Sequence, residues 1–285
     1  LLLVVTLILG QTANEATRWL ELPGIGLSVQ TSDFAKIALV LFVARRLSQG
    51  QEREADMQNA FKQIMIATGI ICALIFPENF STAVLLFATV LVMMFIGRMH
   101  WRRLFLAAGI AIAGGAVFIS VALLSNSEGR VGTWKHRIES YFSPEEHENY
   151  QATQAKIAIA NGSFMGKGPG NSTQRNFLPQ AYSDFIYAII IEEYGIGGTI
   201  VVLLLYMVLL FRGGRIVRKC KRTFPAFIVI GIILIITFQA FVNMAVAVNL
   251  FPVTGQTLPM ISWGGTSAMF TSVGLGIVLG VSRLQ

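Results

Sequence analysis

Charge is what this sequence has least of. Only 13% of its 285 residues are Asp, Glu, Lys or Arg, against 54% hydrophobic residues and a mean hydropathy of +0.64. Soluble domains carry about 25% charged residues. A chain of this length has too little interior to hide so much apolar sequence, so a fold bathed in water on all sides is excluded. Cysteine is scarce as well, at two residues. Cys72 falls inside one apolar run and Cys220 in a basic stretch beyond another, at opposite ends of spans, which excludes a disulfide between them. The three His residues are scattered and no CxxC or HExxH spacing occurs, so no metal site is legible. No GxxxxGK[ST] loop occurs either, which excludes nucleotide hydrolysis by that route.

What is present is a series of long apolar runs broken by short charged clusters, the pattern of membrane-spanning helices. A crossing helix needs about 20 apolar residues. The hydropathy pattern predicts spans at 31–48, 61–77, 79–97, 102–124, 184–211, 224–250 and 260–282. The opening LLLVVTLILG reads as the tail of another span whose beginning is missing; it lacks the basic flank of a signal peptide. The expectation is an all-α polytopic membrane protein of about eight segments, the first partial. It forms a single integral membrane domain over 1–285, with one large outer loop at 125–183.

Basic residues orient it. If Arg45, Arg46, Arg53 and Lys62 face the cytoplasm, strict alternation puts Arg98, Arg102, Arg103, the cluster from Arg212 to Arg222, and Arg283 there too. Glu15, Glu21, Asp33, Glu78, Glu128, Glu139, Glu145, Glu146, Glu148 and Asp184 fall on the other side. The net charge of +7 is therefore a positive-inside signal, aided by anionic membrane lipid, and calls for no nucleic acid. Trp19, Trp101 and Trp263 stand near span ends, where the interface favours them.

The outer loop is too long to be a mere connection and too aromatic to be disordered, with Trp134, Tyr141, Phe142 and Tyr150. A helical pattern runs over 150–159, followed by the turn GKGPGNS at 166–172. Such a turn can offer backbone N–H groups and Lys167 to a phosphate, or can be an ordinary turn. Ser183 or Asp184 then caps an apolar helix. Glu192 and Glu193 follow; at about 1.5 Å per residue Glu192 lies roughly 12 Å below Asp184, inside a hydrocarbon core of about 30 Å. Two carboxylates there mark a site or a polar pathway, or form a buried ion pair with Lys36 or Arg18. Asp33 and Lys36 are spaced to pair on one helix face, or Lys36 snorkels to the interface. Gln239 and Asn243 are four apart, and LPMISWGGTS at 258–267 reads as a close-packed or partly unwound helix start.

These residues in this order resemble the SEDS (shape, elongation, division, sporulation) family of peptidoglycan glycosyltransferases. Arg18-Trp19, then Gln30-x-Ser-Asp-x-x-Lys36, matches the family's opening motif. PENFSTA at 77–83, Tyr150-Gln151 with Gln154, the Gly-rich turn at 166–172, Leu178-Pro179, SDFI at 183–186, EEYG at 192–195, PVTG at 252–255 and the 258–267 stretch follow. The resemblance covers nearly the whole chain and is nearer the division branch than the elongation branch. Departures are Thr31 for Pro, Asp33 for Glu, Gln180 for Glu, Tyr182 for His, and Thr254 where some members carry Lys.

The resemblance implies ten transmembrane helices, so that two and most of a third precede residue 1. It implies polymerisation of lipid II, an undecaprenyl-pyrophosphate-linked disaccharide peptide, at the outer face of the bacterial inner membrane. It further implies a class B penicillin-binding protein as partner, together with other division proteins. The family's essential Asp aligns with Asp184, placed to take the proton of an acceptor hydroxyl. Arg18 and Lys36, with Asp33, would meet the pyrophosphate; Glu192 and Glu193 would organise the cavity; Gln151, Lys167 and Ser262 complete the substrate-binding set. A divalent cation (Mg or Mn) could assist the leaving group, with no ligand set to name. Two other readings of the intramembrane charges stand beside this one: a lipid II flippase or transporter, and a non-catalytic division scaffold.

Overall fold

The computed structural model describes residues 2–9, 11–13, 16–21, 28–51, 54–124 and 150–284, with the backbone alone at 7–9, 11–13, 16–19, 21, 28, 54–55, 119 and 121–124. Trp134, Tyr141, Phe142 and the rest of the outer loop's 125–149 part lie outside the described residues.

Helix α1 (Leu2–Leu9) precedes a small antiparallel sheet of β1 (Gln11–Ala13), β2 (Ala16–Glu21) and β3 (Ser28–Gln30), in that order. Trp19 stands opposite Gln11 on one side and Gln30 on the other. Hydropathy reads this stretch only as loop, because strands this short give alternation too few residues to register. The fold is thus mostly helical rather than all-α. After the sheet come α2 (Thr31–Gly50), α3 (Glu54–Ile75), α4 (Phe80–Ile96), α5 (Trp101–Leu124), α6 (Tyr150–Gly162), a 3-10 turn at Gln174–Asn176, α7 (Ile186–Lys219), α8 (Thr223–Ala247) and α9 (Gly265–Arg283).

A helix occupies each predicted span. Among the described residues, five are long and apolar enough to cross a membrane: those of α3, α5, α7, α8 and α9. Helix α4 is apolar but shorter, at 17 residues. Helix α2 is long, but Asp33, Lys36, Arg45 and Arg46 lower its hydropathy. Phe105 and Ile112 of α5 are 70% and 72% exposed and Leu205 of α7 is 60% exposed. Side chains like these need an apolar solvent, and a bilayer supplies one.

The chain divides into two compact units, 1–132 with 212–235 and 272–285, and 133–211 with 236–271. In the first, α2 buries Leu39, Val40, Val43, Ala44 and Leu47, a stripe of helical period, and packs on α3 and α4. Ile64 of α3 and Leu86, Val90, Met93 and Met94 of α4 are also buried. In an apolar solvent such burial gains close packing rather than escape from water. Helix α4 is finished at both ends. The Asn79 side chain accepts from the Thr82 N–H at 3.2 Å, and Arg98 at φ 60 lets the Arg98 and Met99 amides bond back to Phe95 and Met94. The Gln51 side chain then donates through Nε2 to the Gly97 carbonyl at 2.9 Å.

In the second unit the 236–247 part of α8 is largely buried and carries Thr237, Gln239 and Asn243 inward. The helix closes with Asn249 at φ 60, its amide on the Val246 carbonyl and that of Leu250 on Ala245.

Candidate active site

Asp184 stands in a tight turn just ahead of α7. The turn forms because Gln180 takes a left-handed conformation (φ 59), which lets the amides of Ser183 and Asp184 both bond to the Gln180 carbonyl. The helix starts at Ile186, and the carbonyl of buried Phe185 accepts its first bonds, from Ala188 and Ile189. The capping position therefore falls to Phe185 rather than to Ser183 or Asp184. The Asp184 side chain is half-buried, and its Oδ1 accepts from the Ser183 hydroxyl at 3.0 Å. A carboxylate one residue before the cap lies in the positive field of the free N–H groups of the first helical turn.

Three successive carbonyls of this turn are each held from outside it. The Trp263 amide donates to the Tyr182 carbonyl at 2.8 Å. The Ser262 hydroxyl donates to the Ser183 carbonyl at 2.5 Å. The Asn243 side-chain amide donates to the Asp184 carbonyl at 2.8 Å. The donors themselves are supported. Ser262 Oγ accepts from the Leu258 amide at 2.7 Å, and Asn243 also donates to the Gln256 carbonyl at 2.7 Å. Gln239, one turn earlier on α8, holds the next carbonyl, of Thr257, at 3.0 Å. The Tyr206 hydroxyl donates to the Pro259 carbonyl. The extended 252–258 segment thus has no helix of its own to satisfy its backbone, and the polar face of α8 does it instead. That is why Gln239 and Asn243 stand four apart on an otherwise apolar helix.

A second polar centre forms where α7 breaks. Gly195 has φ 62 and ψ −157, inside what is otherwise a run of helix. The break frees helix carbonyls, and the Gly-rich turn fills them: the Lys167 amide donates to the Glu192 carbonyl and the Gly168 amide to that of Glu193, each at 2.9 Å. Backbones come this close because a Cβ added at Gly162, Gly166 or Gly195 would overlap a facing carbonyl. The Glu192 carboxylate is closed to solvent. It accepts from Lys167 Nζ at 2.7 Å, Ser172 Oγ at 2.5 Å and Thr173 Oγ1 at 2.9 Å. Asn161 Nδ2 and the amides of Thr173 and Gln174 add longer bonds. The half-buried Glu193 carboxylate accepts from the Ser172 amide at 3.4 Å.

The partners differ from those the sequence suggests. Glu192 pairs with Lys167, and the amides of Lys167 and Gly168 face helix carbonyls rather than an open phosphate cradle. Lys36 pairs with Asp33 in the other unit, Nζ to Oδ1 at 2.7 Å, with both side chains buried rather than snorkelling. Arg18 lies in β2, where only the backbone is described. Gln151 stands half-buried in the first turn of α6. The structure brings Ser262 under the Asp184 turn, and Lys167 together with Glu192 and Glu193. Asn243, the third donor to the turn, was visible in sequence only as a polar residue out of place in an apolar helix. Among the described residues no group of three or more His, Cys, Asp or Glu could hold a metal ion.

The family model for FtsW, RodA and SpoVE cell cycle proteins matches residues 1–285. The chain belongs to the FtsW/RodA/SpoVE family. Among relatives of this family member, a protein of Halomonas elongata named as a probable peptidoglycan glycosyltransferase FtsW is 34% identical over 98% of this chain and 70% of its own length. A solved chain from a peptidoglycan synthase complex that coordinates polymerization and crosslinking superposes with a TM-score of 0.76 at 25% identity, covering 99% of this chain and 77% of that one. The rod shape determining protein RodA of Thermus thermophilus follows with a TM-score of 0.66 at 25% identity, over 99% of this chain and 74% of its own.

Proposed function

We propose that this protein is a peptidoglycan glycosyltransferase that polymerises lipid II into glycan strands during cell division, with Asp184 as its general base. The observation that carries the reading is the held turn. Asp184 is a half-buried carboxylate at the start of a crossing helix, and its main chain is fixed by donors on three consecutive carbonyls. A base must be held within hydrogen-bond reach of the proton it takes, and rigid backbone support does this. The names of relatives at about one-third identity over nearly the whole chain support the same activity.

Asp184 accepts the proton of the acceptor sugar's 4-hydroxyl as that oxygen attacks the donor anomeric carbon. The bond from that carbon to the pyrophosphate oxygen breaks, the configuration inverts, and undecaprenyl pyrophosphate leaves. Arg18 and Lys36 balance the charge developing on the pyrophosphate, while Glu192 and Glu193 organise the polar interior around the site. The half-buried position at a helix start lets sugars react in water while polyprenyl tails stay in lipid. The setting is the outer face of the bacterial inner membrane, and the partner that crosslinks the strands is a class B penicillin-binding protein.

The test is glycan synthesis by the protein with its partner and labelled lipid II. Strands from wild type and none from folded Asp184→Asn support the reading. Equal strands from both would remove Asp184 from the chemistry. Lipid II crossing liposomes with no strands formed would favour a transporter, and neither activity would leave a scaffold.

A further inference from the structure

Asn243 is 1% exposed, one turn before the end of α8, a helix long and apolar enough to cross a membrane. A primary amide in such a place is costly unless its hydrogen bonds are made. Both of its N–H bonds are made, and both go to main-chain carbonyls: Asp184 at 2.8 Å and Gln256 at 2.7 Å. Its Oδ1 is buried and has no partner among the described residues. Turning the amide over would place that oxygen against two carbonyl oxygens, so the two carbonyls fix which way it points. Asn243 is therefore kept for its paired donors, at the expense of an unanswered acceptor.

Those two donors join elements 59 and 13 residues away in sequence. One is the carbonyl of the proposed base itself; the other is the extended segment that continues to Leu258 and Ser262, the next support of the same turn. No single-donor side chain could bridge both. An Asp of the same shape would turn an oxygen on the two carbonyls, and a Leu would remove both bonds.

Resting on the reading of Asp184 as the base, we propose that Asn243 is a positioning residue. It sets the main chain of Asp184 against the 256–262 segment, so that the carboxylate meets the acceptor hydroxyl at reaction distance. It touches no substrate. Its effect belongs to the chemical step rather than to substrate binding, because misplacement by about 1 Å costs on the order of a hundredfold in rate.

The experiment measures kcat and KM for lipid II with the full-length protein and its penicillin-binding partner. Wild type, Asn243→Asp, Asn243→Ser and Asp184→Asn are compared, with rates referred to the folded, partner-bound fraction. The expected result for Asn243→Asp is a kcat about 10- to 100-fold lower, with KM unchanged within about twofold. Asn243→Ser, which keeps one donor, falls between it and wild type. If Asn243→Asp does not fold, Asn243→Ser decides by the same split. Wild-type kcat in a folded Asn243 variant beside an inactive Asp184→Asn overturns the positioning role and leaves the base assignment standing. A raised KM with unchanged kcat overturns it also, in favour of substrate contact. Normal activity in Asp184→Asn overturns the base reading itself, and the role of Asn243 goes with it.

Discussion

The ammonium of Lys167 lies 2.7 Å from a Glu192 carboxylate that is wholly closed to solvent, although the two are 25 residues apart. The pair is uneven. Lys167 is about one-third exposed, whereas Glu192 is also held by five further donors from Asn161, Ser172, Thr173 and Gln174. Removing the carboxylate takes the shared acceptor from all of these donors at once, the buried Ser172 among them; removing the ammonium leaves one buried charge that keeps five bonds. Glu192→Leu is expected to cost about 3–5 kcal/mol and Lys167→Met about 1–3 kcal/mol. Thermal unfolding of the purified protein in detergent checks the order. A Lys167→Met variant less stable than Glu192→Leu would show that the other donors contribute little.

Gly195 and Gly197 lie two residues apart in α7 and are expected to respond oppositely to alanine. Gly195 holds a conformation open almost only to glycine, and a Cβ there would overlap the Phe164 carbonyl. Gly195→Ala should destabilise by about 1–3 kcal/mol or more. A Cβ at Gly197 meets nothing within 4 Å, so Gly197→Ala should be neutral or gain up to about 1 kcal/mol of helix propensity. Unfolding of the two variants side by side is the measurement. Equal stability would mean that the break at Gly195 is not a fixed feature of the fold.

Sequence patterns reached most helices and few of their ends. The expected span 61–77 begins at Glu54 in the structure, because Glu54, Ala55, Met57, Gln58 and Ala60 are good helix formers in a stretch too polar for hydropathy to count as span. The expected 224–250 stops at Ala247, because Leu250 and Phe251 keep the apolar run going after Asn249 has turned the chain. The break at Gly195 falls in a stretch where Glu192, Glu193 and three glycines are visible, but hydropathy alone reads one continuous span through it. At the site, Asp184 and Ser262 stood out as members of motifs. Lys167 stood out as a cation beside glycines, but its partner could not be read, since nothing local marks which of several carboxylates a loop will meet. Asn243 was conspicuous for its polarity and silent about its role. Its two acceptors are main-chain carbonyls, which carry no residue signature.

Lys36 and Asp33 form a buried pair at the start of α2, and among the described residues Asp33 Oδ2 has no hydrogen-bond partner. On the proposed mechanism the ammonium also serves the lipid pyrophosphate. Lys36→Met should then weaken lipid II binding at least about tenfold, equivalent to about 1.4 kcal/mol. Titration of labelled lipid II into the folded variant checks this. Unchanged affinity would confine Lys36 to its pair with Asp33.

The most direct test of the account is glycan-strand synthesis by wild type and Asp184→Asn, each as full-length protein with its penicillin-binding partner on labelled lipid II. The account predicts long strands from wild type and a loss of at least about a hundredfold in the variant, the scale of removing a general base, with folding and partner binding intact. Strands of wild-type length and yield from Asp184→Asn would contradict it.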